Sequence, residues 1–361
     1  MDNAVGLAGR MMTAARAAEA SEADQDSHAY WALVWEAAEG ENGETALRCG
    51  SGLLESADAL ERQVGCDLVG NAANAHESLR SEAATALMAL ADAETEARVL
   101  HSLVGGLGWA RDPRAVPVLV RLSEHEDADL RLQVAFAIGS ANSGLPDGPD
   151  VRALIRLTED QHPEVRNWAA FSLGVHLDQD TTAIRDALWK CTTDEYGEVR
   201  EEGVRGLARR HDPRAVPLIA QLLGSDDGSH LLTLDAAAIL GVPELLPALD
   251  AYEHDPVETD RAIAACDPVR RARMEDDAWT VVVELERLRP GIGAALSSPR
   301  YESVHCLEVT LPDAVDAAYD AASLLARADG DPVRAAELVV ADLAAPAGSG
   351  PRVGGLPESS G

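Results

Sequence analysis

The chain has 361 residues with 62 acidic against 30 basic side chains, a formal charge of −32, and aromatics make up only 4% of it. That field repels phosphate backbones, and no basic stripe offsets it (Arg209-Arg210 and Arg270-Arg271-Ala272-Arg273 are the longest basic clusters), so nucleic acid is excluded as the expected partner. Abundant Ala and scarce aromatics suit close helix packing better than a β-sandwich core.

In chain order, residues 4–20 read as an amphipathic helix followed by an acidic linker from Ser21 to Ser27. Ser27 is the expected N-cap of a helix through Tyr30, Trp31, Val34 and Trp35, whose aromatics would close the first hairpin. Gly40-Glu41-Asn42-Gly43 breaks the chain. Helices are then expected at about 44–54, 57–70, 78–90 and 95–107.

From here the chain repeats itself. Leu130-Arg131-Leu132 opens a segment that returns as Val165-Arg166-Asn167 and again as Val199-Arg200-Glu201, at steps of 35 and 34 residues. A fixed period of this size means stacked helical hairpins. Asp112-Pro113-Arg114-Ala115-Val116-Pro117 recurs as Asp212-Pro213-Arg214-Ala215-Val216-Pro217, three repeats on. Asp-Pro starts a helix: Asp caps it, and Pro113 or Pro213 occupies the first turn, where its missing N–H costs nothing. First helices are expected near 113–123, 149–158, 182–191 and 213–223. Second helices are expected near 128–140, 163–176, 197–210 and 229–241, with a last pair from Pro243 to about Cys266.

After Asp267-Pro268 the period is lost. Glu275 to Leu288 reads as a helix with Trp279, Val282, Val283 and Leu285 on its apolar face. Ala294–Ser298 and Val304–Thr310 read as two strands joined by a turn near Arg300-Tyr301. Helices 313–327 and 332–344 follow, and Pro346 to Gly361 has the Gly/Pro/Ser composition of a disordered tail. The expected organisation is therefore residues 1–26 as helix and linker, 27–266 as the repeat array, 267–345 as a small C-terminal module, and 346–361 as tail.

Helix-start Pro, an acidic turn, an apolar-Arg pair and a Leu-Gly ending together resemble the HEAT-repeat superfamily, in particular the short HEAT-like units of phycobilin lyases. The resemblance covers roughly residues 27–265. It implies an all-α, HEAT-like α-solenoid: a right-handed superhelix of six or seven hairpins, with a mostly helical C-terminal module containing a possible β-hairpin. It also implies that Arg131, Arg166 and Arg200 are scaffold residues tying neighbouring helices through acids, and that second helices line a concave surface.

Phosphate loops, nucleophile elbows and HExxH helices are absent from the sequence. One HEAT-like enzyme, deoxyhypusine hydroxylase, holds two irons through four His-Glu pairs. This chain has two, His76-Glu77 and His125-Glu126, and places Arg131-Leu132, Arg166-Asn167 and Arg200-Glu201 where others belong. Asp127/Asp129, Asp178/Asp180 and Asp226/Asp227 lack the glycine and terminal Glu of a calcium loop. Neither metal nor cofactor is expected. The five cysteines are scattered without a CxxC pair and read as reduced thiols. Without a run approaching 18 apolar residues or a secretory start, the expected setting is cytoplasmic and away from membranes.

What remains is a groove. If Val165, Ala169 and Leu173 are the buried face of their helix, Asn167 and Phe171 fall nearly opposite, as do Leu132 and Phe136 one repeat earlier and Glu201 one repeat later. The protein has two Phe, and both occupy this position. Each ring either faces the groove or leans sideways into its neighbour as core. The function expected is a non-enzymatic scaffold binding a protein segment on the concave face. The alternative is a lyase-like or accessory protein holding a small hydrophobic, tetrapyrrole-type ligand there.

Overall fold

The computed structural model describes residues 9–13, 16, 24–38, 42–225, 230–297, 306–310 and 317–344. Most of the first expected helix, residues 21–23 of the expected linker, the Asp226/Asp227 pair, the turn at Arg300-Tyr301 and the tail from 346 lie outside these residues. The chain divides into two compact units, Met1–Gly203 and Val204–Gly361.

In the first unit the helices are α1 (Asp24–Ala38), α2 (Gly43–Leu54), α3 (Ala59–Ala75), α4 (Arg80–Ala91), α5 (Ala97–Ala110), α6 (Val116–Leu122), α7 (Ala128–Ser140), α8 (Pro149–Leu157), α9 (Pro163–Phe171) and α10 (Thr182–Cys191). They are two-helix units stacked side by side, as in a HEAT-like solenoid. Each second helix packs on its own first helix and on the next second helix: α3 on α2 and α5, α5 on α4 and α7, α7 on α6 and α9. Leu103, Leu107, Leu130, Val134, Ile138, Val165, Ala169 and Leu173 are buried between them. The boundary between units falls inside α11 (Gly197–Arg209).

Helix starts follow the expected chemistry. Asp112 caps the turn at Pro113 by accepting from Arg114 N at 2.9 Å, and Asp212 accepts from Arg214 N at 3.1 Å. The residues just before them, Arg111 and His211, both turn left-handed, with φ of 48° and 47°. The Asp-Pro repeat is thus repeated in backbone as well as in sequence. In the first unit α3 and α5 touch backbone to backbone: a Cβ on Gly70 would stand 2.5 Å from Gly106 Cα.

Four expectations need correction. Helix α1 begins at Asp24, so Ser27 is inside it and residues 24–27 are helix, not linker. The stretch 163–176 is not one α-helix: α9 ends at Phe171 and Ser172–His176 is a π turn, closed by Leu177 N donating to Ser172 O at 3.2 Å. In the second unit the helix expected from Glu275 starts at Pro268, because Asp267 accepts from Val269 N and Arg270 N and restarts it. Its buried face is Ala278, Val281 and Leu285, whereas Trp279 and Val283 are 51% and 63% exposed. Finally, Ala317–Asp320 is strand, not helix, because it pairs with Cys306–Thr310; Asp320 then caps the next helix through Ser323 N.

The second unit contains α12 (Ala215–Leu223), α13 (Leu231–Leu240), α14 (Leu246–Asp250), α15 (Pro256–Cys266) and α16 (Pro268–Leu288). Beyond these come β1 (Gly293–Ser297), β2 (Cys306–Thr310), β3 (Ala317–Asp320), α17 (Ala321–Arg327) and α18 (Pro332–Ala344). The strands form one antiparallel sheet in order β1-β2-β3, with Ala295 opposite Glu308 and Glu308 opposite Ala318. Leu307, Val309 and Tyr319 from the sheet share a core with Val281, Leu285, Leu324, Ala336 and Val339.

Candidate interaction face

A recurring arginine sets the register of the second helices. Arg131 donates from Nη1 to the carbonyls of His125 and Glu126, both at 2.9 Å, and from Nε and Nη2 to both oxygens of Asp160, at 2.8 and 2.9 Å. Arg166 repeats the arrangement on Asp160 O, Gln161 O and the carboxylate of Asp194. Arg200 donates to Asp194 O and Glu195 O. Arg62 makes the same set of bonds, to Ser56 O, Ala57 O and Glu94, although no sequence repeat marked it. The clamps of Arg62, Arg131 and Arg166 each hold the turn of their own hairpin and the carboxylate of the next, and Arg200 holds its own turn. Burial pushes the carboxyls of Asp160 and Asp194 up, but the arginine and backbone hydrogen bonds outweigh it, and both end below the usual carboxylate range.

With Arg62, Arg131 and Arg166 aligned, the residues two and five places on form a row. The row reads Val64 and Asp67 in α3, Gln133 and Phe136 in α7, and Trp168 and Phe171 in α9. In α7 and α9 this row is open: Phe136 is 37% exposed, and Leu132, Gln133, Asn167, Trp168 and Phe171 are half-buried. Glu201, at the start of α11, is half-buried too.

The two Phe rings do not stack on each other; Trp168 and His176 join them. Phe136 meets Trp168 at 5.3 Å and His176 at 5.1 Å between ring centroids. Phe171 meets the same two at 5.5 and 4.8 Å. All four contacts are edge-to-face, the arrangement favoured by the ring quadrupole. The rings therefore lean sideways on aromatic neighbours and still keep one side toward solvent. Helical periodicity could not have found His176. In an α-helix the fifth residue after Phe171 lies about 140° round the axis. The wider π turn brings it back beneath the Phe. Gly139 makes the room: a Cβ there would meet His176 Nδ1 at 2.5 Å and Ser172 Oγ at 2.9 Å.

The polar edge of the cluster is unbalanced. Gln133 Oε1 and Asn167 Oδ1 are buried acceptors with no hydrogen-bond donor among the described residues. Such atoms cost roughly 1–3 kcal/mol when left unmatched.

Towards the start of the array α1 stands beside α3 as the preceding helix of the stack. Val64, Asp67 and Asn71 of α3 and Tyr30 and Val34 of α1 are all buried. Tyr30 Oη donates to Asp67, Asn71 Nδ2 donates to Val34 O at 2.8 Å, and His76 Nε2 bonds Ala38 O at 2.8 Å. Trp31 reaches α5, edge-on to Trp109 at 6.0 Å. Burial raises the Asp67 carboxyl to about 6 despite hydrogen bonds from Tyr30 and Ser102 that pull it down.

Elsewhere His76, His125 and Asp127 make bonds within the scaffold. His76 is the partner of Ala38 O, and His125 Nδ1 accepts from Asp127 N at 3.1 Å. No group of three or more His, Cys, Asp or Glu stands together as a metal site among the described residues. No helix among them is long and apolar enough to cross a membrane.

A family model described as HEAT repeats matches residues 84–174 and 151–238. Among solved structures, that of YibA from Escherichia coli is similar over 73% of this chain and 96% of its own, at 21% identity and a TM-score of 0.51. An engineered protein matches 79% of this chain and 84% of its own at 19% identity and a TM-score of 0.45. The complex of CpcE and CpcF of phycocyanin lyase from Nostoc matches 61% and 86% at 18% identity and a TM-score of 0.41. No curated protein sequence matches the chain.

Proposed function

We propose that this chain, whose residues 84–174 and 151–238 match HEAT repeats, works as a non-enzymatic interaction scaffold, holding a protein segment along the open row of its second helices. The observation that carries this reading is the cluster of Phe136, Trp168, Phe171 and His176, held rigid by edge-to-face contacts yet open on one side. A rigid, partly desolvated aromatic patch is the kind of surface on which a few residues carry most of a binding energy. Leu132, Asn167 and Glu201, at corresponding repeat positions in α7, α9 and α11, are half-buried and would add contacts. A net charge of −32 works against nucleic acid in the same place and favours a protein partner.

The test is affinity purification of the tagged full chain beside its Phe136→Ala/Phe171→Ala variant, with the recovered proteins quantified by mass spectrometry. Proteins bound through the row should drop at least tenfold on the variant while its helical circular dichroism is unchanged. Glu201→Ala, one repeat further, reports how far the contact extends. Equal recovery on all three chains would end this reading.

A further inference from the structure

We propose that Asp67 is a proton latch for α1: the helix is fastened to α3 while the Asp67 carboxyl is protonated, and loosens when it ionises. Polar bonds tie the two helices. Tyr30 Oη donates to Asp67 Oδ2, Asn71 Nδ2 donates to Val34 O at 2.8 Å, and His76 Nε2 donates to Ala38 O at 2.8 Å. The His76 bond holds in either charge state, because a carbonyl only accepts and Nε2 can carry a proton in both. Asn71 does not titrate. The bond to Asp67 is different, because its acceptor is a buried carboxyl.

Among the described residues no cation is paired with Asp67. Its hydrogen-bond partners are neutral hydroxyls, Tyr30 from α1 and Ser102 from α5. Cys66, its neighbour on α3, is a thiol that burial holds in the protonated form. Arg62, earlier on α3, is paired with Glu94, and His101, beside Ser102, bonds Asp127. An ionised carboxylate shut away from water without a cation is costly, and turning α1 aside returns water to it. Burial accordingly raises the carboxyl from 3.8 to about 6, the two hydroxyls drawing it back only in part. A group whose folded pKa is raised favours the closed seam in acid. Opening should therefore rise about tenfold per pH unit between about 4 and 6, about a hundredfold in all, and then level off. Above that range, release of α1 would uncover Val64, Asp67 and Asn71 on α3.

Hydrogen exchange of the full chain, read by mass spectrometry on peptides from residues 24–38, tests this, with wild type and Asp67→Asn compared at the same pH. Asn keeps an acceptor for Tyr30 Oη and cannot ionise. At pH 7.5 these residues should exchange at least tenfold, and up to about a hundredfold, more slowly in Asp67→Asn. At pH 4 the two chains should exchange alike, and residues 281–340 should be unchanged at either pH. Tyr30→Phe removes a hydroxyl that steadies the carboxylate, so it should speed exchange of residues 24–38 more at pH 7.5 than at pH 4. Equal rates for wild type and Asp67→Asn at pH 7.5, slowing of the same size at pH 4, or a change shared by the whole chain would overturn the latch. So would a Tyr30→Phe effect of equal size at both pH values.

Discussion

Asp67 is 2% exposed, and its carboxyl is raised from 3.8 to about 6, chiefly by burial under Tyr30. A carboxyl whose folded pKa lies above its unfolded one binds protons more tightly when folded. Its contribution to stability is therefore complete below pH 4 and is lost as the pH rises through about 6. The change corresponds to at most about 3 kcal/mol. Asp67→Asn keeps an acceptor for Tyr30 Oη and removes the charge, so it should stabilise the protein at pH 8 and make no difference at pH 4. Thermal melts of both chains at the two pH values measure this. A gain of the same size at pH 4 would mean that ionisation of Asp67 is not the cause.

Between elements, the arginine clamps and the glycine contact make opposite demands on substitution. Arg166 and Asp194 are largely withdrawn from water and doubly hydrogen-bonded. Removing one partner of such a pair leaves a charge uncompensated, so Arg166→Met should cost about 3 kcal/mol in denaturant unfolding. Asp160 and Asp194 have lowered pKa values, so their contribution is present above pH 4 and is lost as the pH falls through the folded values. Arg166→Met should accordingly flatten the acid-induced loss of stability below pH 4. The helix contact is steric. Gly70→Ala would place a methyl 2.5 Å from the Gly106 backbone and force α3 and α5 apart, whereas Gly105→Ala, on the same α5, meets nothing within 4 Å. The first should lower the melting temperature by several degrees. The second should raise stability by up to about 1 kcal/mol, the helix-propensity difference between Gly and Ala. Melts that rank the two variants the other way would show that α3 and α5 are not packed at these glycines.

At the scale of the whole molecule, each hairpin buries its apolar face on its neighbours, and the second unit keeps a core of its own around Val281, Leu285 and Leu307. Leu173 is fully buried in the first unit, and Leu173→Ala should cost about 2–5 kcal/mol, the transfer term plus the cavity left behind. Hydrogen exchange read by mass spectrometry should show the loss of protection concentrated in residues 128–191, with 281–340 protected as before. Loss spread evenly over the chain would mean that the array unfolds as one block.

The sequence alone made legible the stacked hairpins, their helix starts at Asp-Pro and the recurrence of Arg131, Arg166 and Arg200. All of these rest on short-range rules or on a period repeated often enough to be counted. It also located the row of Phe136 and Phe171, because the phase of a regular helix follows from its buried positions Val165, Ala169 and Leu173. It could not show His176 beneath them, since a π turn breaks the period that the reading depends on, and the space for it comes from Gly139 in another helix. Nor could it distinguish Trp279 and Val283, apolar yet exposed, from Val281, because which side of a helix is covered depends on what packs there. The same holds for α1. Its Tyr30, Trp31, Val34 and Trp35 announced a helix that closes the first hairpin, but its contacts with Asp67 and Asn71 join residues 37 positions apart and follow only from how the helices pack.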